Sequence, residues 1–111
     1  GATKAASLQS FPGVFTATEC FAALKAGADG LKIFPAAIMG PAGVSALKAV
    51  LPSSVPVYAV GGAGPDNFAQ WRAAGADGFG IGTALYTPGL TAKEVGERAR
   101  KLVLAYDEVM A

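Results

Sequence analysis

Histidine is absent from the 111-residue sequence, and cysteine occurs once, as Cys20. A single thiol excludes an intrachain disulfide. The missing imidazole removes the usual base of serine-histidine chemistry and the commonest zinc ligand. Any catalysis on this chain therefore runs on lysine, carboxylate, hydroxyl or backbone groups. Charge is also scarce, at 15% of residues, with nine bases against eight acids and a net charge of +1. The bases are scattered except around Arg98 to Lys101, where Glu94, Glu97, Asp107 and Glu108 balance them. That balance argues against a nucleic-acid partner. No apolar run approaches the ~20 residues that span a bilayer, and Gly1-Ala2-Thr3-Lys4 does not open a secretory signal. A soluble, reducing, cytoplasmic setting without a membrane partner is expected.

Apolar residues are abundant, at 52%, which marks residues 1–111 as a globular, well-buried stretch, long enough for one ordinary domain. Short strand-like runs alternate with helical periods, as in a parallel α/β fold. The first unit is a strand over Ser7 to Phe11, closed by Pro12-Gly13, and a helix over Ala17 to Ala26 with Phe21 and Leu24 on one face. Thr16 and Glu19 have capping-box spacing at its start. The second is a strand from Gly30 to Phe34, a loop through Gly40-Pro41, and a helix with Val44, Leu47, Val50 and Leu51 as its stripe. The third is Val55 to Val60, then Gly61-Gly62-Ala63-Gly64, with Pro65 opening a helix that buries Phe68 and Trp71. The fourth is Gly78 to Ile81, then Gly82-Thr83-Ala84-Leu85. A long helix over Ala92 to Met110 follows, with Val95, Leu102, Val103, Tyr106 and Met110 inward.

Ala26-Gly27-Ala28-Asp29-Gly30 recurs as Ala74-Gly75-Ala76-Asp77-Gly78, 48 positions later. Each copy should end a helix on a left-handed glycine and feed a buried strand. Four βα units amount to half of a (β/α)8 TIM barrel, and the loops read as its last four units. Helices on one face alone would leave the other face of a parallel sheet bare. A preceding stretch of roughly equal length is therefore expected.

Lys32 stands in an otherwise apolar strand, on the opposite side from Leu31 and Ile33. Inside a closed barrel such a lysine would be desolvated, which favours the nucleophilic amine that condenses with ketones. On an edge strand it could instead reach the rim. Val60-Gly61-Gly62 and Gly80-Ile81-Gly82-Thr83 end successive strands just before helices. Glycines there let backbone N–H groups approach a phosphate, with the Thr83 hydroxyl as a further donor. The plainer reading is that they only make tight turns.

Pro12-Gly13-Val14-Phe15-Thr16, Leu31-Lys32-Ile33-Phe34-Pro35, Ala59-Val60-Gly61-Gly62 and Gly80-Ile81-Gly82-Thr83-Ala84-Leu85-Tyr86 together resemble the bacterial 2-dehydro-3-deoxy-phosphosugar aldolases in order and spacing. The resemblance covers essentially the whole chain. It implies a metal-free and cofactor-free Schiff-base cleavage of a phosphorylated 2-keto-3-deoxy sugar acid to pyruvate and glyceraldehyde 3-phosphate. Lys32 would form the imine, while Gly61, Gly62, Gly82 and Thr83 would hold the phosphate. Val60 and the stretch Pro65 to Trp71 resemble the galactonate branch, since the gluconate branch carries threonine before the glycine pair. Thr83 departs from the more usual serine but keeps the hydroxyl. The resemblance also implies a homotrimer.

The family's acid/base glutamate, and the arginine and threonine that grip the carboxylate, belong to early strands. Glu19, Glu94, Glu97 and Glu108 do not lie at strand ends, so the base is expected outside this chain and residues 1–111 alone are expected to be inactive. The alternatives are the gluconate epimer, another phosphate-binding barrel such as a thiamin-phosphate synthase-like enzyme, or an inactive half-barrel binding module.

Overall fold

The computed structural model describes residues 2–111. A short helix α1 (Ala2–Ala5) closes on Ser7, whose φ is 60°, with the Ser7 N–H donating to Lys4 O and the Leu8 N–H to Thr3 O. This left-handed closure uses the residues expected to begin the first strand, so Ser7 to Phe11 is not strand. β1 is instead Gly13–Val14. Its edge starts pairing at Ser10, whose carbonyl accepts the Asp29 N–H at 2.8 Å, and Pro12 O then accepts the Lys32 N–H at 3.0 Å.

The other strands are β2 (Leu31–Ile33), β3 (Val57–Val60) and β4 (Gly78–Gly80), each a residue or two shorter than expected. All pair in parallel in the order β1-β2-β3-β4. Between them run α2 (Ala17–Lys25), α3 (Ala36–Val50) and α4 (Phe68–Ala73), and α5 (Ala92–Met110) follows. α3 breaks at Gly40, which takes φ 77°, and resumes at Pro41, so a helical turn occupies part of the expected loop. Pro65 lies in a turn before α4 rather than inside it, with the Asn67 and Phe68 N–H groups both donating to Gly64 O.

Strand pairing places Val14, Ile33, Ala59 and Phe79 in one row, and Gly13, Lys32, Tyr58 and Gly78 in the next. The first row faces the helices. Leu31, Ile33 and Val57 are fully buried there, with Val44, Leu47, Phe68 and Trp71 packed above them. Phe68 stacks on Phe79 at 4.2 Å between centroids. The second row faces away from that layer and leaves Lys32 exposed.

A single layer of helices buries narrower stripes than the apolar residues suggest. Phe21, Val50, Val103 and Tyr106, all expected inward, are 46, 57, 57 and 40% exposed. Cys20 takes the buried position in α2, and on α5 the core side is Leu102 with Ala105 and Val109. Tyr106 keeps only an edge contact to Phe79, at 6.3 Å.

The repeated Ala-Gly-Ala-Asp-Gly is a matched pair of helix stops. Gly27 (φ 96°) and Gly75 (φ 107°) are left-handed, and the Ala28 and Ala76 N–H groups reach back to Ala23 O and Trp71 O. Among the described residues, no helix is long and apolar enough to cross a membrane.

Candidate active site

β2 delivers Lys32 to the side of the sheet away from the helices because Leu31 and Ile33, one position either way, are drawn into the core. At the C-terminal ends of β3 and β4 the chain must turn sharply into α4 and into the segment before α5. Gly61 and Gly62 take φ of 96° and 83°, the region that L side chains avoid. Their backs are also tight. A Cβ on Gly61 would meet the Phe34 ring at 3.1 Å, and one on Gly62 would meet the Ala37 Cβ at 2.8 Å.

These turns and the lysine share one cleft of about 500 Å³, and Lys32, Val60, Gly61, Gly62, Gly82 and Thr83 all line it. The six candidate site residues of the sequence therefore come to a single place. A shallower hollow of about 320 Å³ continues along the sheet, sharing Lys32 and Val60 and adding Phe11 and Tyr58. Val60 packs over Gly80, where a Cβ would stand 2.6 Å from the Val60 Cγ2.

Beside the Lys32 amine and the Thr83 hydroxyl, the polar character of the cleft comes from backbone. The N–H groups of Gly62, Ala63, Gly82, Thr83 and Ala84 lie outside the strand pairing and donate to no acceptor among the described residues. The Gly82 carbonyl accepts from both the Leu85 and Tyr86 N–H groups at 3.0 Å, so the second loop begins as a helical turn. Two runs of free amides converging with a lysine make a site suited to an anion joined to an electrophilic carbonyl.

Among the described residues, no carboxylate lines the cleft. Glu19 and Glu94 are committed to capping boxes with Thr16 and Thr91. The Thr16 and Phe15 N–H groups hold the Glu19 carboxyl below its ordinary range, and the Thr91 N–H does the same for Glu94. Cys20 is buried in α2, and burial pushes its thiol up. Lys32 is exposed, so the desolvation expected of a closed barrel is not supplied by this chain; only one face of the sheet carries helices.

Residues not singled out in the sequence also shape the site. Phe34, two positions past Lys32 and so on the same side of the strand line, forms one wall. Its peptide to Pro35 is cis. The Ala37 N–H donates to Gly61 O at 3.0 Å, joining the end of the lysine strand to the glycine turn. Strand alternation could have found Phe34; the Ala37 contact depends on how two loops meet.

The family described as KDPG and KHG aldolase matches residues 2–102. A probable 2-dehydro-3-deoxy-6-phosphogalactonate aldolase of Rhizobium meliloti (strain 1021) is 49% identical over 108 residues, which are 97% of this chain and 50% of that protein. The 2-dehydro-3-deoxy-6-phosphogalactonate aldolase of Escherichia coli (strain K12) is 50% identical over 99 residues, 89% of this chain and 48% of that one. A solved structure described as native KDPGal superposes with a TM-score of 0.91 at 48% identity, over 94% of this chain and 50% of its own. The chain spans about half the length of these relatives.

Proposed function

The chain belongs to the KDPG and KHG aldolase family, and on that premise we propose that it forms the last four βα units of a (β/α)8 barrel whose whole is a Schiff-base aldolase. The reading takes the substrate to be 2-dehydro-3-deoxy-6-phosphogalactonate and the products to be pyruvate and glyceraldehyde 3-phosphate. The observation that carries it is the meeting of the Lys32 amine with two runs of unpaired amides in one cleft.

Chemically, the Lys32 amine adds to the C2 ketone and, with loss of water, gives an iminium. When the C3–C4 bond breaks, its electron pair flows to the iminium nitrogen, leaving an enamine, and the C4 hydroxyl loses a proton as it becomes the aldehyde. Protonation of the enamine at C3 and hydrolysis then release pyruvate and return the amine. The acceptor of the C4 proton is assigned to a glutamate in the remainder of the barrel, since no carboxylate among the described residues lines this cleft. Gly61, Gly62, Gly82 and Thr83 would hold the phosphate, so that binding far from the scissile bond fixes the reacting carbons over the amine. On this reading the isolated 111 residues are inactive, and the whole protein is a cytoplasmic homotrimer.

The test is reduction with borohydride in the presence of pyruvate, using the whole protein that carries this chain, followed by intact mass and peptide mapping. A reduced pyruvyl adduct at Lys32 is expected. An unmodified Lys32 in folded protein would favour a phosphate-binding barrel without imine chemistry, such as a thiamin-phosphate synthase-like enzyme.

A further inference from the structure

We infer that Asn67 is a positioning residue for phosphate binding, acting through the peptide units of the Gly61–Gly64 turn. The inference rests on the reading of that turn as the phosphate cradle. Asn67 does not itself line the cleft. It sits just before α4, and its side-chain amide makes two bonds back onto the turn. The Gly64 N–H donates to Oδ1 at 2.9 Å, and Nδ2 donates to Gly62 O at 2.8 Å. One side chain thus spans the turn with its acceptor on one side and its donor on the other.

The consequence follows from peptide geometry. A trans peptide unit carries its C=O and N–H in opposite directions. Holding the Gly62 carbonyl toward Asn67 turns the Ala63 N–H away from it, and Ala63 is part of the cleft wall. The neighbouring unit is fixed in the same way, because Gly61 O accepts the Ala37 N–H at 3.0 Å and the Gly62 N–H must point away from Ala37. Two successive amides are therefore aimed by bonds made to the carbonyls of their own peptide units. The turn needs this restraint because both glycines lack the side chains that would limit their backbone. Without it, ordering the turn around an anion would be charged to each binding event.

Asn67→Ala removes both bonds. Asn67→Asp keeps the acceptor for the Gly64 N–H but faces the Gly62 carbonyl with an oxygen in place of the donor. The experiment measures KM and kcat of the whole protein on the phosphorylated 2-keto-3-deoxy sugar acid and on its unphosphorylated counterpart, with pyruvate trapping at Lys32 as a phosphate-independent readout. Both variants are expected to raise KM for the phosphorylated substrate by about tenfold. Their kcat/KM on the unphosphorylated one should change by less than about twofold, with trapping retained. Equal losses on the two substrates, loss of trapping in both variants, or an unchanged KM for the phosphorylated substrate would each overturn the role. If the unsubstituted protein shows no preference for the phosphorylated substrate, the cradle reading itself fails; a preference that survives both substitutions removes Asn67 alone.

Discussion

The Asp29 carboxylate accepts the Ser10 N–H at 2.7 Å, reaching from the start of β2 to the edge that leads into β1. The second copy of the repeat does the same one unit pair later, where Asp77 accepts the Val57 N–H at 2.8 Å. Each aspartate also pairs with a lysine, Lys4 and Lys48 respectively, at 3.0 Å. The aspartate in Ala-Gly-Ala-Asp-Gly therefore ties each strand to its predecessor at the end opposite the cleft.

Asp77→Ala should destabilise the whole protein by about 1 kcal/mol, since it strips the partner from an N–H at the start of β3. The exposed part of the Lys48 pair adds little. Urea unfolding at neutral pH reads this, and pyruvate trapping by the variant should match that of the parent. A loss of trapping with unchanged stability would contradict a purely structural role.

Acid should weaken the fold through Asp29, Glu19 and Glu94. Backbone N–H donors hold each carboxyl below its ordinary value, the Ser10 N–H leading at Asp29 with Lys4 behind it. A depressed folded-state pKa means that the stabilisation is present above the unfolded value of about 4 and is lost as pH falls through the folded one. Glu19→Gln with Glu94→Gln keeps the capping-box acceptors but removes two of the titrating groups. Urea midpoints measured between pH 7 and pH 3 should therefore fall less steeply below pH 4 in the double variant. Parallel curves would show that these caps do not contribute to the acid response.

Val60→Thr should move epimer preference toward the gluconate substrate. Val60 lines the cleft on the strand next to Lys32, packed over Gly80, so its side chain has little freedom to withdraw. A threonine of nearly the same shape adds a hydroxyl that can bond to the C4 hydroxyl where valine cannot. The ratio of kcat/KM for the two epimers, measured on the whole protein, should change by about tenfold in favour of gluconate. An unchanged ratio would move the discrimination to residues other than Val60.

Much of the site could be read without coordinates. Lys32 alternates with Leu31 and Ile33, and both glycine turns sit at strand ends, so their approach to one another follows from parallel order. Asn67 was less visible. Its place after Pro65-Asp66 marks a turn, but a side chain that bonds Gly62 and Gly64 together is set by the path of the loop.

The sequence by itself determined what depends on near neighbours. The alternation of strands and helices, the left-handed stops at Gly27 and Gly75, the Thr16–Glu19 capping box and the face on which Lys32 lies all follow from spacing and local sterics. The Thr91–Glu94 box has the same spacing and was equally open to reading. Only the tertiary structure decided that Ser7 and Leu8 close α1 instead of opening β1, because that helix is tied to the sheet by Lys4, whose amine pairs at 3.0 Å with Asp29, 25 positions along the chain. It also decided that Phe21, Val50 and Val103 face outward while Cys20 faces in. An apolar side chain is buried where another surface covers it, and this chain lays helices over one face of its sheet alone.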